Sequence, residues 1–214
     1  MPALSPELRF PFNGEPHTVF LKNVISRANI EVGDYTYYND LNDPTAFEDQ
    51  NVRYHFDFIG DKLVIGKFCA LAQGTTFIMS GANHAMTGFS TYPFHIFGET
   101  WREGFDERII FDHIRGDTVV GNDVWFGTSS TILPGVEIGC GAIIGANAMV
   151  SKNVPPYAVV VGNPGKVVRL RFEQHTIDRL LEIAWWDWPT EKITQNLDAI
   201  RSADLTALEK ASVV

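Results

Sequence analysis

The stretch from Val120 to Pro155 divides into sixes: VGNDVW, FGTSST, ILPGVE, IGCGAI, IGANAM, VSKNVP. The first place of each six is apolar: Val120, Phe126, Ile132, Ile138, Ile144 and Val150. The second place holds Gly121, Gly127, Leu133, Gly139, Gly145 and Ser151, so five of the six are small. The fifth holds Val124, Ser130, Val136, Ala142, Ala148 and Val154, all small or β-branched. Working outward, an earlier block obeys the same rule. Ile59, Ile65, Leu71 and Phe77 lead its sixes, followed by Gly60, Gly66, Ala72 and Ile78. Val32-Gly33, with Thr36 at the fifth place, is a weaker copy.

A period of six has a direct physical reading. Each hexad is one short strand plus one turn. The large first residue fills an interior, and the small fifth residue lies at a corner too tight for more. Gly and Asn at the corners, as in Gly121-Asn122 and Gly145 before Asn147, are expected to supply positive φ. Three hexads close a triangular coil, and coils stack at about 4.8 Å, the ordinary strand spacing. The pattern predicts an all-β parallel β-helix of hexapeptide repeats.

Two interruptions stand out. Phe77 and Ile114 are 37 residues apart, which is not a multiple of six, so residues 83–113 leave the coil as a long excursion. Unstructured loops of about 30 residues are uncommon and usually functional. This one carries Thr91-Tyr92-Pro93-Phe94-His95, Phe97, Trp101 and Phe105. A shorter aromatic departure runs from Tyr37 to Phe58. Beyond Pro164 the period becomes helical, with Ile177, Leu180, Leu181 and Ala184, then Ile193, Leu197 and Ile200, then a short helix near Leu205 and Leu208. Trp185, Trp186 and Trp188 are expected to pack this small α-helical cap onto the end of the coil. The predicted organisation is a β-helix over 1–171 and a helical segment over 172–214.

The 214 residues include 18 Val and 17 Ile against 13 Leu, with 15 Phe and 18 Gly, a strand-and-turn bias that excludes a helical bundle. Lys+Arg is 17 and Asp+Glu is 26, a net charge of −9. An acidic balance argues against a nucleic-acid partner, which needs a basic face. No run of about 18 apolar residues exists, so no membrane span is expected. No signal-peptide pattern precedes the first repeat, so a cytoplasmic location is expected. Cys69 and Cys140 are too few for a disulfide scaffold. Cys69 falls at a fifth place and reads as packing.

Of six histidines, His84 stands where the hexads break, in Ser80-Gly81-Ala82-Asn83-His84-Ala85-Met86. A neutral imidazole is a fitting base for a hydroxyl nucleophile, and a hydrogen-bonded structural histidine is the competing reading. Cations gather where the repeat ends: Lys152, Lys166, Arg169 and Arg171. They read either as solvated surface or as a site for a phosphorylated ligand. Gly162-Asn163-Pro164-Gly165 reads as the turn that leaves the coil.

These pieces resemble the hexapeptide-repeat acyltransferases, and within them the xenobiotic acetyltransferases, which include the streptogramin A (virginiamycin) and type-B chloramphenicol enzymes. The resemblance spans about residues 25–200. It is carried by Val32-Gly33-Asp34-Tyr35-Thr36-Tyr37-Tyr38, Asp61-Lys62-Leu63-Val64-Ile65-Gly66-Lys67-Phe68-Cys69, Gly81-Ala82-Asn83-His84 and Ser90-Thr91-Tyr92-Pro93-Phe94. It continues through Gly116-Asp117-Thr118, Gly121-Asn122-Asp123-Val124-Trp125, Gly162-Asn163-Pro164 and Trp185-Trp186-Asp187-Trp188-Pro189. The resemblance implies a left-handed coil and a homotrimer with active sites between subunits. It also implies acetyl-CoA as co-substrate, lying along the outside of the coils.

By the same resemblance His84 matches the catalytic base. Trp125, Thr128, Ala146, Ser151, Lys152, Lys166 and Arg169 match the CoA channel. Tyr37 and the excursion, with Asn83, Phe97, Trp101 and Phe105, match the acceptor side. Gly165 stands where the turn usually has Ala. Phe56 stands near where streptogramin enzymes can offer a tyrosine hydroxyl. A zinc site of the γ-type carbonic anhydrase kind, on the same coil, needs histidines at i, i+5, and no such pair exists. The expected reaction is direct acetyl transfer from acetyl-CoA to an acceptor hydroxyl, with His84 as base, backbone N–H groups facing the oxyanion and no acyl-enzyme. The spelling Gly81 to Met86 followed by Ser90-Thr91-Tyr92-Pro93 favours a streptogramin A acceptor. Chloramphenicol comes second, and a sugar or serine third. A non-catalytic β-helix would bind no CoA.

Overall fold

The computed structural model describes residues 4–213. Its strands form three sheets of seven, four and four members. The chain visits them in rotation, so three successive strands make one coil. The second sheet holds Ile30–Val32, Leu63–Ile65, Thr118–Val120 and Glu137–Ile138. The third holds Val52–Arg53, Thr76–Ile78, Thr131–Ile132 and Met149–Val150. The long sheet holds Tyr37–Asn39, Ala70–Leu71, Trp125–Phe126, Ile143–Ile144 and Ala158–Val161, closed at its ends by antiparallel strands Thr18–Phe20 and Lys166–Leu170. Every other pairing is parallel, which makes a parallel β-helix.

The first hexad places form the interior as stacked ladders. Tyr38, Leu71, Phe126, Ile144 and Val160 are in register up the long sheet. Val52, Phe77, Ile132 and Val150 climb the third, and Ile65, Val120 and Ile138 the second. All of these are at most 3% exposed. Each interior side chain contributes roughly 1.5–3 kcal/mol through burial. The fifth places fill the gaps between ladders: Cys69, Ser130, Ala142 and Ala148 are fully buried. Burial pushes the Cys69 thiol up to about 12, so it is packing and not a nucleophile. Ile59 breaks the rule, because it lies buried in a turn, and the ladder position it would fill is taken by Val52.

The corners differ from the sequence expectation. Positive φ falls at the fourth place, at Asp123, Ser129, Gly135, Gly141 and Asn147 (57° to 70°), and at Tyr35, Phe68 and Tyr157. Of the residues expected to carry it, Asn147 does, while Gly121, Asn122 and Gly145 do not. The second-place glycines have another reason. A Cβ on Gly121 would stand 2.7 Å from the Cys140 backbone nitrogen of the next coil, so glycine there lets the coils stack.

The departure after Asn39 folds back over the first coil. Phe47, on the single helical turn Phe47–Gln50, is fully buried and packs edge-on against Tyr38 and Phe77. The Tyr38 hydroxyl donates to Asp40 at 2.7 Å and accepts from Asn51 at 2.9 Å, so the departure plugs that end of the coil without orphaning the phenol. Between Ile78 and Thr118 the chain forms only 3-10 turns. Yet Leu63–Ile65 pairs directly with Thr118–Val120, so the insertion leaves the stack unbroken.

Helices Gln174–Ile183, Thr190–Gln195, Leu197–Arg201 and Leu205–Val213 follow the last hairpin. The tryptophans do not sit on the end of the coil. Trp185 packs on Phe68, which stacks on Tyr35, and the Tyr35 hydroxyl lies 2.9 Å from that of Thr190. Lys67 pairs with Asp187 at 2.8 Å, and Arg171 donates to the Gly141 carbonyl at 2.6 Å. Tyr35, Phe68 and Gly141 occupy the same corner of successive coils, so the helical segment runs along that corner. The reason lies at the fourth places, where the left-handed backbone turns the Tyr35 and Phe68 rings outward to meet it.

Candidate active site

The excursion leaves the third sheet after Ile78, and its stem is tightly held. The Asp61 carboxylate, fully buried, accepts from the Ser80 N–H at 2.8 Å. The Ser80 hydroxyl accepts from the Arg115 N–H at 3.2 Å, and Asn83 donates to the His113 carbonyl at 2.9 Å. Lys62 N–H donates to Asp117 at 2.8 Å on the returning side. Gly81 has no room for a side chain, because a Cβ would collide with the Tyr54 carbonyl and the Phe56 ring.

His84 follows one residue beyond this stem and is exposed. Its Nδ1 lies 2.9 Å from the Thr91 carbonyl oxygen. A carbonyl only accepts, so Nδ1 carries a proton, and in the neutral imidazole the lone pair is then on Nε2. That is the tautomer a base needs. The rest of the excursion is an aromatic knob. Tyr92 stacks on Phe97 at 5.3 Å, and Trp101 meets Phe94 edge-on at 5.3 Å. Phe97 and Trp101 nonetheless remain more than half exposed, while Phe105 is spent on stacking with His95. Asn83 uses its amide to close the stem, which leaves its Oδ1 for a ligand.

The residues matched to CoA divide among three places. Tyr37, Ala70, Trp125, Ile143, Val159 and Arg169 are in register, so their side chains form one outer row on the long sheet. That row spans roughly 24 Å at about 4.8 Å per strand. Trp125 lies 55% exposed in its middle, and Arg169 ends it beside Lys166 on the terminal hairpin. Thr128 and Ala146 are exposed on the next corner, where the Asn147 N–H donates to the Thr128 carbonyl at 2.9 Å. Ser151 and Lys152 lie on the following corner, the one from which the excursion departs. On a single chain the structure therefore does not bring the Trp125 row and His84 together.

Lys152, Lys166 and Arg169 are exposed and form no ion pair among the described residues, which suits an anionic ligand. Arg171 does not join them. It packs over Tyr157 and Phe172 and faces Asp123 at 3.7 Å. Among the described residues no group of three His, Cys, Asp or Glu side chains is placed to hold a metal ion, and no helix is long and apolar enough to cross a membrane.

Sequence reasoning missed three features. Thr91 was legible only as part of a motif, because its contact to His84 spans a loop. Tyr54, 53% exposed with φ of 59°, borders the stem two residues from Phe56. It and Phe56, which stacks on Phe58 at 5.4 Å, line a concavity of about 1460 Å³. The third is Asp61, whose role no spacing announces.

The family described as "Bacterial transferase hexapeptide (six repeats)" matches residues 117–152. A virginiamycin A acetyltransferase from Staphylococcus aureus is 47% identical over 205 residues, 96% of this chain and 92% of the relative. A chloramphenicol acetyltransferase from Escherichia coli is 40% identical over 202 residues, 92% of each. A probable macrolide acetyltransferase from Lysinibacillus sphaericus is 52% identical over 163 residues, 75% of this chain and 88% of the relative.

Proposed function

The chain belongs to the hexapeptide-repeat xenobiotic acetyltransferases, and from that premise we propose that it moves the acetyl group of acetyl-CoA onto a hydroxyl of a streptogramin A antibiotic. The observation that carries the reading is the His84 imidazole, whose Nδ1–H is tied to the Thr91 carbonyl at 2.9 Å and whose Nε2 is left free. Nε2 takes the proton of the acceptor hydroxyl as its oxygen bonds to the acetyl carbon. The carbon–sulfur bond then breaks and the imidazolium returns the proton to sulfur. Backbone N–H groups face the charge that builds on the carbonyl oxygen. No serine or cysteine is acylated, and Cys69 is buried with its thiol pushed up to about 12.

Trp125, Thr128, Ala146, Ser151, Lys152, Lys166 and Arg169 hold the donor, the three cations facing its phosphates. Tyr37, Phe56, Asn83, Phe97, Trp101 and Phe105 face the acceptor. The separation of the long-sheet row from the corner that bears the excursion supports a homotrimer, in which the row on one copy meets the excursion of the next. Met86, Phe89, Ile96, Phe97 and Trp101, all exposed on the excursion, support the same assembly, since so many exposed apolar side chains on one segment suit an interface. Residues 1–171 act as the left-handed β-helix domain, with 83–113 as its excursion and 172–214 as a helical cap along one corner. The protein works in the cytoplasm, where acetyl-CoA is available.

The acceptor ranking rests on chemistry and similarity together. An aromatic knob suits an apolar macrocycle, and identity is 47% with the virginiamycin A relative against 40% with the chloramphenicol one. Chloramphenicol is the second reading. Free thiol released from acetyl-CoA, measured with a streptogramin A, a macrolide, chloramphenicol, serine and a galactoside in parallel, tests it. Fastest turnover per unit KM is expected with the streptogramin, and faster turnover with chloramphenicol reverses the order. Thiol release with none of them refutes the antibiotic reading.

A further inference from the structure

The Asp61 side chain is wholly buried, and one of its oxygens, Oδ1, has no hydrogen-bond partner among the described residues. So is His55, whose Nε2–H donates to the Asp61 carbonyl at 2.8 Å and whose Nδ1 is unpartnered. Buried polar groups without partners are costly, and those that persist call for an explanation. The coil does not supply one, because Asp61 lies outside every ladder and its only near ionisable group among the described residues is His55, whose Nε2 stands 3.9 Å from Oδ1. What Asp61 does hold is the excursion. Its Oδ2 takes the Ser80 N–H at 2.8 Å, and Ser80 in turn takes the Arg115 N–H at 3.2 Å. The carboxylate thus anchors the chain where it leaves the coil, and the Ser80 hydroxyl ties that anchored point to the chain as it returns. His84 stands four residues beyond Ser80, and Asn83 makes the second cross-tie at 2.9 Å to His113.

We propose that Asp61 is a positioning residue for acetyl transfer: from inside the coil it fixes the stem of the excursion and so sets where His84 meets the acceptor hydroxyl. This rests on His84 being the base. Orientation is the term at stake, since displacing a catalytic group by about 1 Å can cost 100-fold in rate.

Three variants test it in the full-length assembled protein: Asp61→Ala, Asp61→Asn, which keeps an oxygen for the Ser80 N–H, and His84→Ala. Turnover, KM for acetyl-CoA and hydrogen exchange of segments 80–92 and 118–150 are measured in each. Asp61→Ala is expected to lower kcat by at least ~10-fold with KM for acetyl-CoA changed less than ~2-fold. Exchange should rise in 80–92 and stay unchanged in 118–150, while Asp61→Asn recovers most of the turnover. Unchanged kcat in folded Asp61→Ala overturns the proposal. So does an exchange rise spread equally over 118–150, which marks a merely structural role, or an Asp61→Asn variant as impaired as Asp61→Ala. If His84→Ala keeps its turnover while Asp61→Ala loosens 80–92, the base assignment falls and the stem clamp alone survives.

Discussion

At the scale of the residue, chemistry is decided by what each side chain is tied to. His84 and His95 both lie in the excursion, yet His95 is flat against Phe105 while His84 has one nitrogen held and one free. The sequence singled out His84 because it stands where the repeat fails, but the tautomer depends on Thr91, seven residues on, across a loop no periodicity describes. The cations divide in the same way. Lys166 and Arg169 form no ion pair among the described residues, whereas Arg171, next in the same run, is used to hold Tyr157 and Phe172. Replacing Lys166 and Arg169 together by Ala is expected to raise KM for acetyl-CoA roughly 10-fold, with kcat nearly unchanged and the difference shrinking at high salt. Steady-state kinetics at two ionic strengths check this; a loss confined to kcat contradicts it. Cys69, its thiol pushed up to about 12, should stay unmodified by a thiol-alkylating reagent at pH 8 in the folded protein, read by peptide mass spectrometry.

At the scale of the element, the first and fifth hexad places were legible because they answer to burial, which residue type reports directly. The corners were less so. Positive φ at the fourth place falls on Gly135, Gly141 and Asn147, which suit it, but the stack imposes it equally on Asp123, Ser129, Phe68 and Tyr35, so residue type announces it only in part. Second-place glycine appears instead where backbones of adjacent coils touch. Two substitutions separate these roles. Gly121→Ala should destabilise by about 1–3 kcal/mol, because its Cβ meets the next coil's backbone at 2.7 Å. Asn147→Gly, at a left-handed position, should change stability by less than ~1 kcal/mol. Denaturant titration of both checks the assignment, and equal losses contradict it. Phe126→Ala, in the longest ladder, should cost about 3–5 kcal/mol.

At the scale of the whole molecule, the coil is a rigid rod that carries two unlike sets of groups on different corners. The repeat predicted the parallel coil. The path of the C-terminal segment was not legible, since the outward rings of Tyr35 and Phe68 that receive Trp185 are set by backbone conformation. The separation of the Trp125 row from His84 also could not be read from spacing. On the proposed function it would give an assembly a chemical purpose, because a second copy would complete the site. Light scattering should return three times the chain mass of 23.9 kDa, and a monomeric mass contradicts a shared site. The most direct test of the account is thiol release from acetyl-CoA by His84→Ala, with a streptogramin A as acceptor, in protein that keeps its assembled mass. A fall of at least ~100-fold is predicted, the usual scale for losing a general base; turnover within a few fold of the unaltered protein would show that His84 is not the base.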